Sequence, residues 1–274
     1  MASKINKTSE QFLKSKAAWL RKETLKIHKT APETRLASSL SGVEIFTVLY
    51  YGGILRYKAS DTHWEGRDRF IVSKGHGAIS LYPVLAERGF FSAKELSRVC
   101  KEGSFLGGIP DPVIPGFETV NGSLGHGLGV ACGMAIALKS NKRKEMVFVL
   151  SGDGELSEGS VWEAIMFAGA RKLDNLVFIV DNNKISMLDY CRNIVDIEPL
   201  EEKFRVFQWA AQRVDGHNPG QLYRALKKWR EQPAGKPKVL IADTVKGKGA
   251  PSLENDPLCH IKNLTTEQID ALIG

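Results

Sequence analysis

Two polar clusters follow directly after apolar runs in the middle of the chain. The run MVFVLSGDG ends with Asp153 and Gly154, and the run NLVFIVDNN ends with Asn183. The stretch between them is long enough for one helix and one strand. Because the carboxyl ends of parallel strands meet at one edge of a sheet, we expect Asp153 and Asn183 to converge there.

This pair of side chains suits a hard divalent cation. Mg²⁺ prefers oxygen ligands and often completes its shell with substrate phosphates and water. Gly154 lets the backbone approach a diphosphate closely, and the helix that follows directs its N-terminus, which favours anions, at the same place. A lone GDG is usually a simple turn, but the second cluster at this spacing favours a site for a cation and a diphosphate.

Alternating strands and helices surround the two clusters. Both apolar runs are continuous, which is typical of parallel strands buried on both faces, and the segment EGSVWEAIMFAGARKL between them has the pattern of a helix. RFIVSKGHG predicts an earlier strand, whereas Pro219–Arg230 and Lys238–Thr244 predict a later helix and strand. We therefore predict an α/β fold with a doubly wound, mostly parallel sheet and helices on both faces.

The first part of the chain has a helical pattern. Helices are predicted over residues 9–29, Gly42–Tyr51 and Ala78–Arg88, with Ser41 as the N-cap of the second. Neither an internal repeat nor a low-complexity linker interrupts the sequence. Residues 1–274 are therefore expected to form one domain with an N-terminal helical extension over about residues 1–40.

Composition excludes several classes of protein. The 274 residues are 43% hydrophobic and 25% charged, as in an ordinary globular chain rather than a disordered one. No run of about 18 apolar residues is present, and the first residues lack a secretory pattern. The net charge of +7 is weak evidence for nucleic acid. Four scattered cysteines fit a cytoplasmic protein with reduced thiols, and we expect neither a nucleic-acid nor a membrane partner.

The segment that carries both clusters resembles the thiamine diphosphate motif of transketolases. That motif here reads GDGELSEGSVWEAIMFAGARKLDNLVFIVDNNKIS. Four other segments resemble transketolase sequences and occur in the same order: IVSKGHG, PGFETVNGSLGHGLGVACGMAIA, VDGHN and KGKGAPSLENDPLCH. The resemblance covers roughly residues 10–265 and implies the diphosphate-binding fold of that family.

The resemblance implies a set of cofactor ligands. Asp153, Asn183 and the carbonyl of Ile185 would hold Mg²⁺, or another divalent cation such as Ca²⁺ or Mn²⁺. Gly154 would contact the diphosphate of thiamine diphosphate. Three residues would approach its aminopyrimidine ring through their backbone: Gly122, Ser123 and Leu124.

Two histidines acquire a role in the same way. His76 and His260 would bind cofactor near the diphosphate and act as catalytic residues at the reacting centre. Glu158, counted with the cofactor-binding residues, would lie near the subunit interface and connect paired sites. His126 stands where glutamine is also common in the family, so it carries less weight. Of the remaining histidines, His28 and His63 are expected at the surface, and His217 is expected to form a local hydrogen bond or cap.

Only the N-terminal, diphosphate-binding part of a full-length transketolase is matched. The chain is therefore similar to the N-terminal subunit of a split transketolase. The resemblance implies a separate C-terminal subunit that carries the pyrimidine-binding domain and a catalytic glutamate, in an α₂β₂ assembly. The pair would transfer a two-carbon ketol or acyl unit between sugar-like substrates, and this chain would be inactive alone.

Two positions depart from the family pattern on the sugar side of the site. Ordinary transketolases carry Gly-His-Pro elements here, but an ungapped count places Arg35 at the first histidine, and Ile109 takes the second place in Gly108-Ile109-Pro110. Arginine is a permanent cation with a planar fork of donors, whereas isoleucine cannot bond a hydroxyl. We therefore expect a non-standard substrate that is apolar near Ile109 and anionic near Arg35.

Two alternatives remain open at this point. A non-catalytic scaffold or regulatory paralogue could keep the fold, although such a protein has no physical need for Asp153 and Asn183, the predicted ligands of the cation. The α-subunit of a 2-oxo-acid dehydrogenase shares the GDG and NN elements, but SKGHG, GSLGHGL and the His260 segment favour transketolase.

Overall fold

The sheet runs through the middle of the molecule. The computed structural model describes residues 7–232 and 235–274, so the first six residues of the predicted extension lie outside it. Five parallel strands are hydrogen-bonded in the order β1-β2-β3-β5-β4. Their bounds are β1 (Arg69–Val72), β2 (Val147–Gly152), β3 (Leu176–Asn182), β4 (Ala210–Asp215) and β5 (Lys238–Asp243).

Helices cover both faces of this sheet. Within the described residues the α-helices are α1 (Lys7–Thr30), α2 (Leu36–Leu40), α3 (Val43–Tyr51), α4 (Leu81–Glu87), α5 (Gly127–Ser140), α6 (Gly159–Ala170), α7 (Cys191–Ile194), α8 (Leu200–Val206), α9 (Pro219–Glu231) and α10 (Thr266–Ile273). None of them is both long enough and apolar enough to cross a bilayer.

Strand alternation divides the core into two apolar layers. Phe148 and Leu150 of β2 join a cluster with α1, α3, α4 and α9. Val147 and Val149, which point to the other face, join a second cluster with α5, α6 and α8. A smaller third cluster joins α2, α10 and Ile185. The α/β fold with helices on both faces is as the sequence predicts.

The strand register brings the two polar clusters to one edge. Gly152, the last residue of β2, pairs with Asp181 of β3, and Asn182 pairs with Asp243 of β5. Asp153 and Asn183 therefore follow neighbouring strands at their carboxyl ends, where crossover connections leave room for ligands.

Three local expectations differ from the structure. Ser41 is not the N-cap of α3: Gly42 takes that place, because the Ser41 hydroxyl donates to the buried carboxylate of Asp181 at 2.6 Å. The predicted helix Ala78–Arg88 starts later, since a 3₁₀ turn over Gly75–Ser80 comes first. The sequence AAQRVD of β4 was not predicted as a strand. It lies at the sheet edge with mostly half-buried side chains, so it lacks the apolar run of a central strand.

Candidate functional site

Asp153 is a buried carboxylate at the carboxyl end of β2. It is 2% exposed, and its two oxygens accept backbone N–H bonds from Gly154 at 2.8 Å and from Lys184 at 2.5 Å. Burial, followed by the charge of Asp181, raises its pKa to about 6. The two backbone N–H bonds lower the pKa of Asp153, but they do not offset the effects of burial and of Asp181. A bound cation would therefore stabilise the ionised carboxylate.

Two further oxygens of the predicted cation site lie on the segment after β3. Asn183 is buried, and its side-chain oxygen accepts the N–H of Ile185 at 3.2 Å. The carbonyl of Ile185 accepts the ammonium of Lys246 at 2.8 Å, and the carbonyl of Ser186 accepts it at 2.6 Å. The carbonyl of Ile185, which the resemblance assigns to the ion, therefore accepts a hydrogen bond from a lysine in this structure.

This donor set fits a hard cation that shares its shell with a phosphate ligand. It comprises one carboxylate, one amide oxygen and one carbonyl, and the carbonyl has a second lone pair beside the one that Lys246 engages. No group of three or more His, Cys, Asp or Glu side chains that could hold a metal occurs in the described part of the chain. The ion would thus depend on Asp153 for charge and on a ligand for the rest of its shell.

His76 and His260 come together although they are distant in sequence. Their ring centroids are 5.1 Å apart at an interplanar angle of 65°. Burial, then the charges of Lys74 and His260, lower the pKa of His76 to about 2, and burial, then Lys246 and Arg35, lower that of His260 to about 4. Both rings are therefore neutral at pH 7, so each can donate one hydrogen bond and accept another.

The Gly-rich loop around Gly122–Leu124, which is predicted to face the pyrimidine, packs against the 3₁₀ turn Gly75–Ser80 that carries His76. A Cβ on Gly75 would stand 1.7 Å from the carbonyl oxygen of Asn121, so only glycine allows this close approach of the loop to the residue before His76. Buried Glu155 anchors the other end of the loop, since it accepts the N–H of Gly125 at 2.8 Å and the Ser73 hydroxyl at 2.5 Å. Gly122 and Ser123 are exposed, whereas Leu124 is half-buried.

The two departures from the family pattern both border this region. Arg35 is exposed just before α2, and its charge lowers the pKa of His260. The side chain of Ile109 is 42% exposed, and its Cδ1 lies 3.1 Å from where a Cβ on Gly122 would be. Arg35 thus lies within electrostatic reach of His260, and Ile109 contacts the Gly-rich loop at Gly122.

The remaining predicted residues have different surroundings. Glu158 is exposed at the start of α6, and its Cβ lies 2.8 Å from where a Cβ on Gly125 would be. His126 is exposed and pairs with the carbonyl of Leu124 at 3.0 Å. His63 is exposed as expected.

Two expectations about histidines were wrong. His28 is 1% exposed rather than at the surface, because α1 and the turn after it enclose the ring against Thr34. The ring of His217 bonds Glu44 and Val245, both distant in sequence, rather than a local group.

Three residues of the site escape reasoning from the sequence. Lys74 forms a buried ion pair with Asp181, and Lys246 reaches the carbonyls after β3. Glu155 ties the Gly-rich loop to β2, because it accepts both the N–H of Gly125 and the Ser151 hydroxyl at 2.7 Å. Each follows or lies within a motif that the sequence analysis quotes, namely SKGHG, KGKG and GDGE. Position at the carboxyl end of a strand was the available signal, because charged side chains there face the ligand edge.

A cavity of about 280 Å³ opens beside Asp153 and is bounded by Lys184, Cys191 and Asn255. A second cavity of about 270 Å³ lies at the opposite, amino end of β1, next to Arg56 and Asp68. None of the predicted site residues borders the second cavity, so it is separate from the candidate site.

Comparison with known proteins decides the family. The family described as "Transketolase, thiamine diphosphate binding domain" matches residues 27–273. The chain belongs to the transketolase family. Its members are thiamine diphosphate-dependent transferases, so the resemblance seen in the motifs is confirmed and a 2-oxo-acid dehydrogenase subunit is not favoured.

The relatives of this transketolase-family chain differ in length. It is 36% identical over 263 residues to the 6-deoxy-6-sulfo-D-fructose transketolase subunit SqwG of Clostridium sp. (strain MSTE9), which covers 96% of this chain and 95% of that protein. It is 38% identical over 252 residues to an apulose-4-phosphate transketolase subunit of Actinobacillus succinogenes, covering 91% and 90%. These names imply a partner subunit for members of this length.

A solved structure gives the same picture for the fold. The transketolase of Campylobacter jejuni superimposes with a TM-score of 0.89 at 29% identity, over 96% of this chain. The chain spans only 42% of that protein. It therefore corresponds to one part of a full-length transketolase.

The raised pKa of Asp153 predicts that the free energy of unfolding of the cofactor-free chain falls as the pH rises. The folded pKa of about 6 exceeds the unfolded value, so Asp153 stabilises the fold below about pH 4 and loses that contribution as the pH rises through 6. Asp153→Asn removes this titration. From pH 4 to pH 7, its unfolding free energy should rise by about 2 kcal/mol relative to wild type.

Urea unfolding at several pH values measures this difference. Asn183→Ala is the matched control, because it alters the same site without removing a titratable group, and its difference from wild type should not vary with pH. A flat Asp153→Asn difference would show that burial does not perturb this carboxyl.

Proposed function

We propose that the chain is the N-terminal subunit of a split transketolase-like enzyme. With a separate C-terminal subunit that carries the pyrimidine-binding domain and catalytic glutamate, it transfers a two-carbon ketol or acyl unit. The observation that carries this proposal is the convergence of Asp153, Asn183 and the His76–His260 pair at one edge of the sheet. The proposal treats residues 1–274 as one cofactor-binding domain with its helical extension over about residues 1–40.

The cofactor half of the site is assigned from its oxygen donors and charges. Asp153, Asn183 and the carbonyl of Ile185 hold Mg²⁺ or a similar divalent cation, and Gly154 allows the diphosphate to approach the backbone. Lys246 is 3% exposed, and burial followed by Lys74 lowers its pKa to about 8. Its ammonium is still mostly charged at pH 7 and complements the diphosphate.

The reacting half lies between the histidines and the Gly-rich loop. Thiamine diphosphate, when bound, supplies the stabilisation of the carbanion left after a carbon–carbon bond is cleaved. Gly122, Ser123 and Leu124 present backbone to the aminopyrimidine. His76 and His260, both neutral, orient substrate hydroxyls and exchange hydrogen bonds with them. Glu158 lies toward the partner and connects paired sites.

The substrate is assigned as a non-standard sugar. The charge of Arg35 reaches His260, whose pKa it lowers after burial and Lys246, and its guanidinium offers a planar fork of donors to an anionic substituent. Ile109 offers only an apolar surface beside Gly122. A buried hydroxyl left unpaired against Ile109 costs about 1–3 kcal/mol. The names of the relatives, which mention a sulfo-sugar and an apulose phosphate, support an unusual sugar that carries an anionic group.

A catalytically inert scaffold is the competing function. It does not require Asp153 to stay ionised in a buried position, nor two histidines held neutral 5.1 Å apart. Binding of thiamine diphosphate with Mg²⁺ by the chain and its partner separates the two functions, because the scaffold binds neither.

Activity is expected only in the assembled pair. The proposal assigns the pyrimidine-binding domain to a separate subunit, so the purified chain alone should give no ketol transfer, and addition of the partner should restore it in an α₂β₂ complex. Light scattering with a coupled transferase assay measures both properties. Ketol transfer by the chain without a second polypeptide would refute this assignment.

The substrate assignment predicts poor use of ordinary transketolase substrates. The reconstituted pair should act on xylulose 5-phosphate with ribose 5-phosphate at a kcat/KM below about 10⁴ M⁻¹s⁻¹. Arg35→His with Ile109→His should raise that value, because the two imidazoles supply the missing hydrogen bonds. Steady-state kinetics on both substrate sets measures the change.

Arg205→His controls for the loss of an exposed guanidinium, since Arg205 lies on the surface of α8. That variant should keep the wild-type preference. Efficient turnover of the ordinary pair by the wild-type enzyme would contradict the assignment of Arg35 and Ile109.

A further inference from the structure

Glu44 of α3 is a buried carboxylate with both oxygens engaged. It is 7% exposed, and one oxygen accepts the guanidinium of Arg21 at 2.5 Å. The other oxygen pairs with Nδ1 of His217 at 2.9 Å. Glu44 thus joins a side chain from α1 to one from the turn between β4 and α9.

The tautomer of His217 follows from its second partner. The backbone N–H of Val245 donates to Nε2 of His217 at 2.8 Å, so Nε2 is the acceptor. The proton of the neutral ring is then on Nδ1 and is donated to Glu44. The turn itself is held by the N–H of His217, which donates to the Asp215 carboxylate at 2.8 Å.

Arg21 reaches the other end of the same short segment. Its second guanidinium nitrogen donates to the carbonyl of Lys248 at 2.6 Å and to the carbonyl of Leu40 at 3.0 Å. The two side chains that bond Glu44 therefore also hold the first N–H and the last carbonyl of Val245–Lys248. We name Arg21, Glu44 and His217 the clamp.

Lys246 lies between the two held ends. Its ammonium donates to the carbonyls of Ile185 and Ser186, and the next N–H, of Gly247, donates to the carbonyl of Ala37 at 3.0 Å. A long, flexible lysine loses substantial side-chain entropy when it is held in one geometry. Fixing its backbone at both ends removes part of that cost before any ligand binds.

We propose that the clamp positions Lys246 for the diphosphate of the cofactor, an inference that rests on the proposed function. The clamp residues contact neither the reacting atoms nor the cation ligands; they act through the backbone of Val245–Lys248. Their effect falls on cofactor binding, whereas turnover of the saturated enzyme is left unchanged.

Two amide substitutions at one position separate the bonds of the clamp. In His217→Gln the amide oxygen reaches the place of Nε2 and still accepts the N–H of Val245. In His217→Asn the shorter amide reaches only the place of Nδ1, so it donates to Glu44 but leaves Val245 unbonded. The same two substitutions at exposed His63 are the matched controls.

Hydrogen–deuterium exchange of the full chain without cofactor measures the clamp itself. His217→Asn should raise exchange across Val245–Lys248 about tenfold, and His217→Gln should keep it within about threefold of wild type. In the assembled enzyme, His217→Asn should raise the half-saturating concentration of thiamine diphosphate about tenfold with kcat unchanged. His217→Gln should leave that concentration close to the wild-type value.

Unchanged exchange and unchanged cofactor binding in His217→Asn would overturn the clamp. Equal losses in both variants, in step with a fall in melting temperature, would also overturn it, because that pattern reflects stability alone. Failure of the wild-type assembly to bind thiamine diphosphate would refute the proposed function, and the exchange result on the cofactor-free chain would stand apart from it.

Discussion

The buried ion pair between Lys74 and Asp181 determines how the ligand edge of this fold is built. Lys74 is 2% exposed and Asp181 fully buried, and burying two charges costs several kcal/mol per ion unless further hydrogen bonds satisfy them. Here Asp181 also accepts the hydroxyls of Ser41 and Thr244, and the Lys74 ammonium donates to the carbonyl of Ser38 at 3.0 Å. The turn after β1, the α2 region, β3 and the end of β5 are held at one point, since moving any of them deprives a buried charged group of its ion-pair or hydrogen-bond partner.

The same pair sets the electrostatics of the candidate site. Although burial raises the pKa of Asp181, the ammonium of Lys74 brings it below the usual range, so Asp181 remains an anion and repels the charge on Asp153. Lys74 also contributes to the low pKa of His76, after burial. A carboxylate that gains from a cation and imidazoles that stay neutral are therefore two consequences of one interaction. This explains how the proposed cation-binding half and a neutral hydrogen-bonding half can lie side by side at the edge of one sheet.

How much the sequence could predict depended on whether the signal was local. The central strands β2 and β3 are continuous apolar runs, and the polar clusters at their ends were correctly predicted to meet at one edge of the sheet. The half-buried edge strand β4 has no such run. Glu155, Lys246 and the clamp have their roles through contacts between residues far apart in the chain, and neither periodicity nor spacing reports such contacts. Ser41 was misassigned as a cap for the same reason, because its true partner, Asp181, lies on β3.

The central claim is that Asp153 supplies the charge that holds the cation and, through it, the diphosphate. Calorimetric titration of thiamine diphosphate with Mg²⁺ into the complex of this chain and its partner tests that claim most directly. Asp153→Ala should abolish Mg²⁺-dependent binding, since it removes the one carboxylate assigned to the ion, whereas Asn183→Ala should weaken binding less because it removes a neutral ligand. Wild-type affinity in the assembled Asp153→Ala protein would contradict the account and place the cation elsewhere.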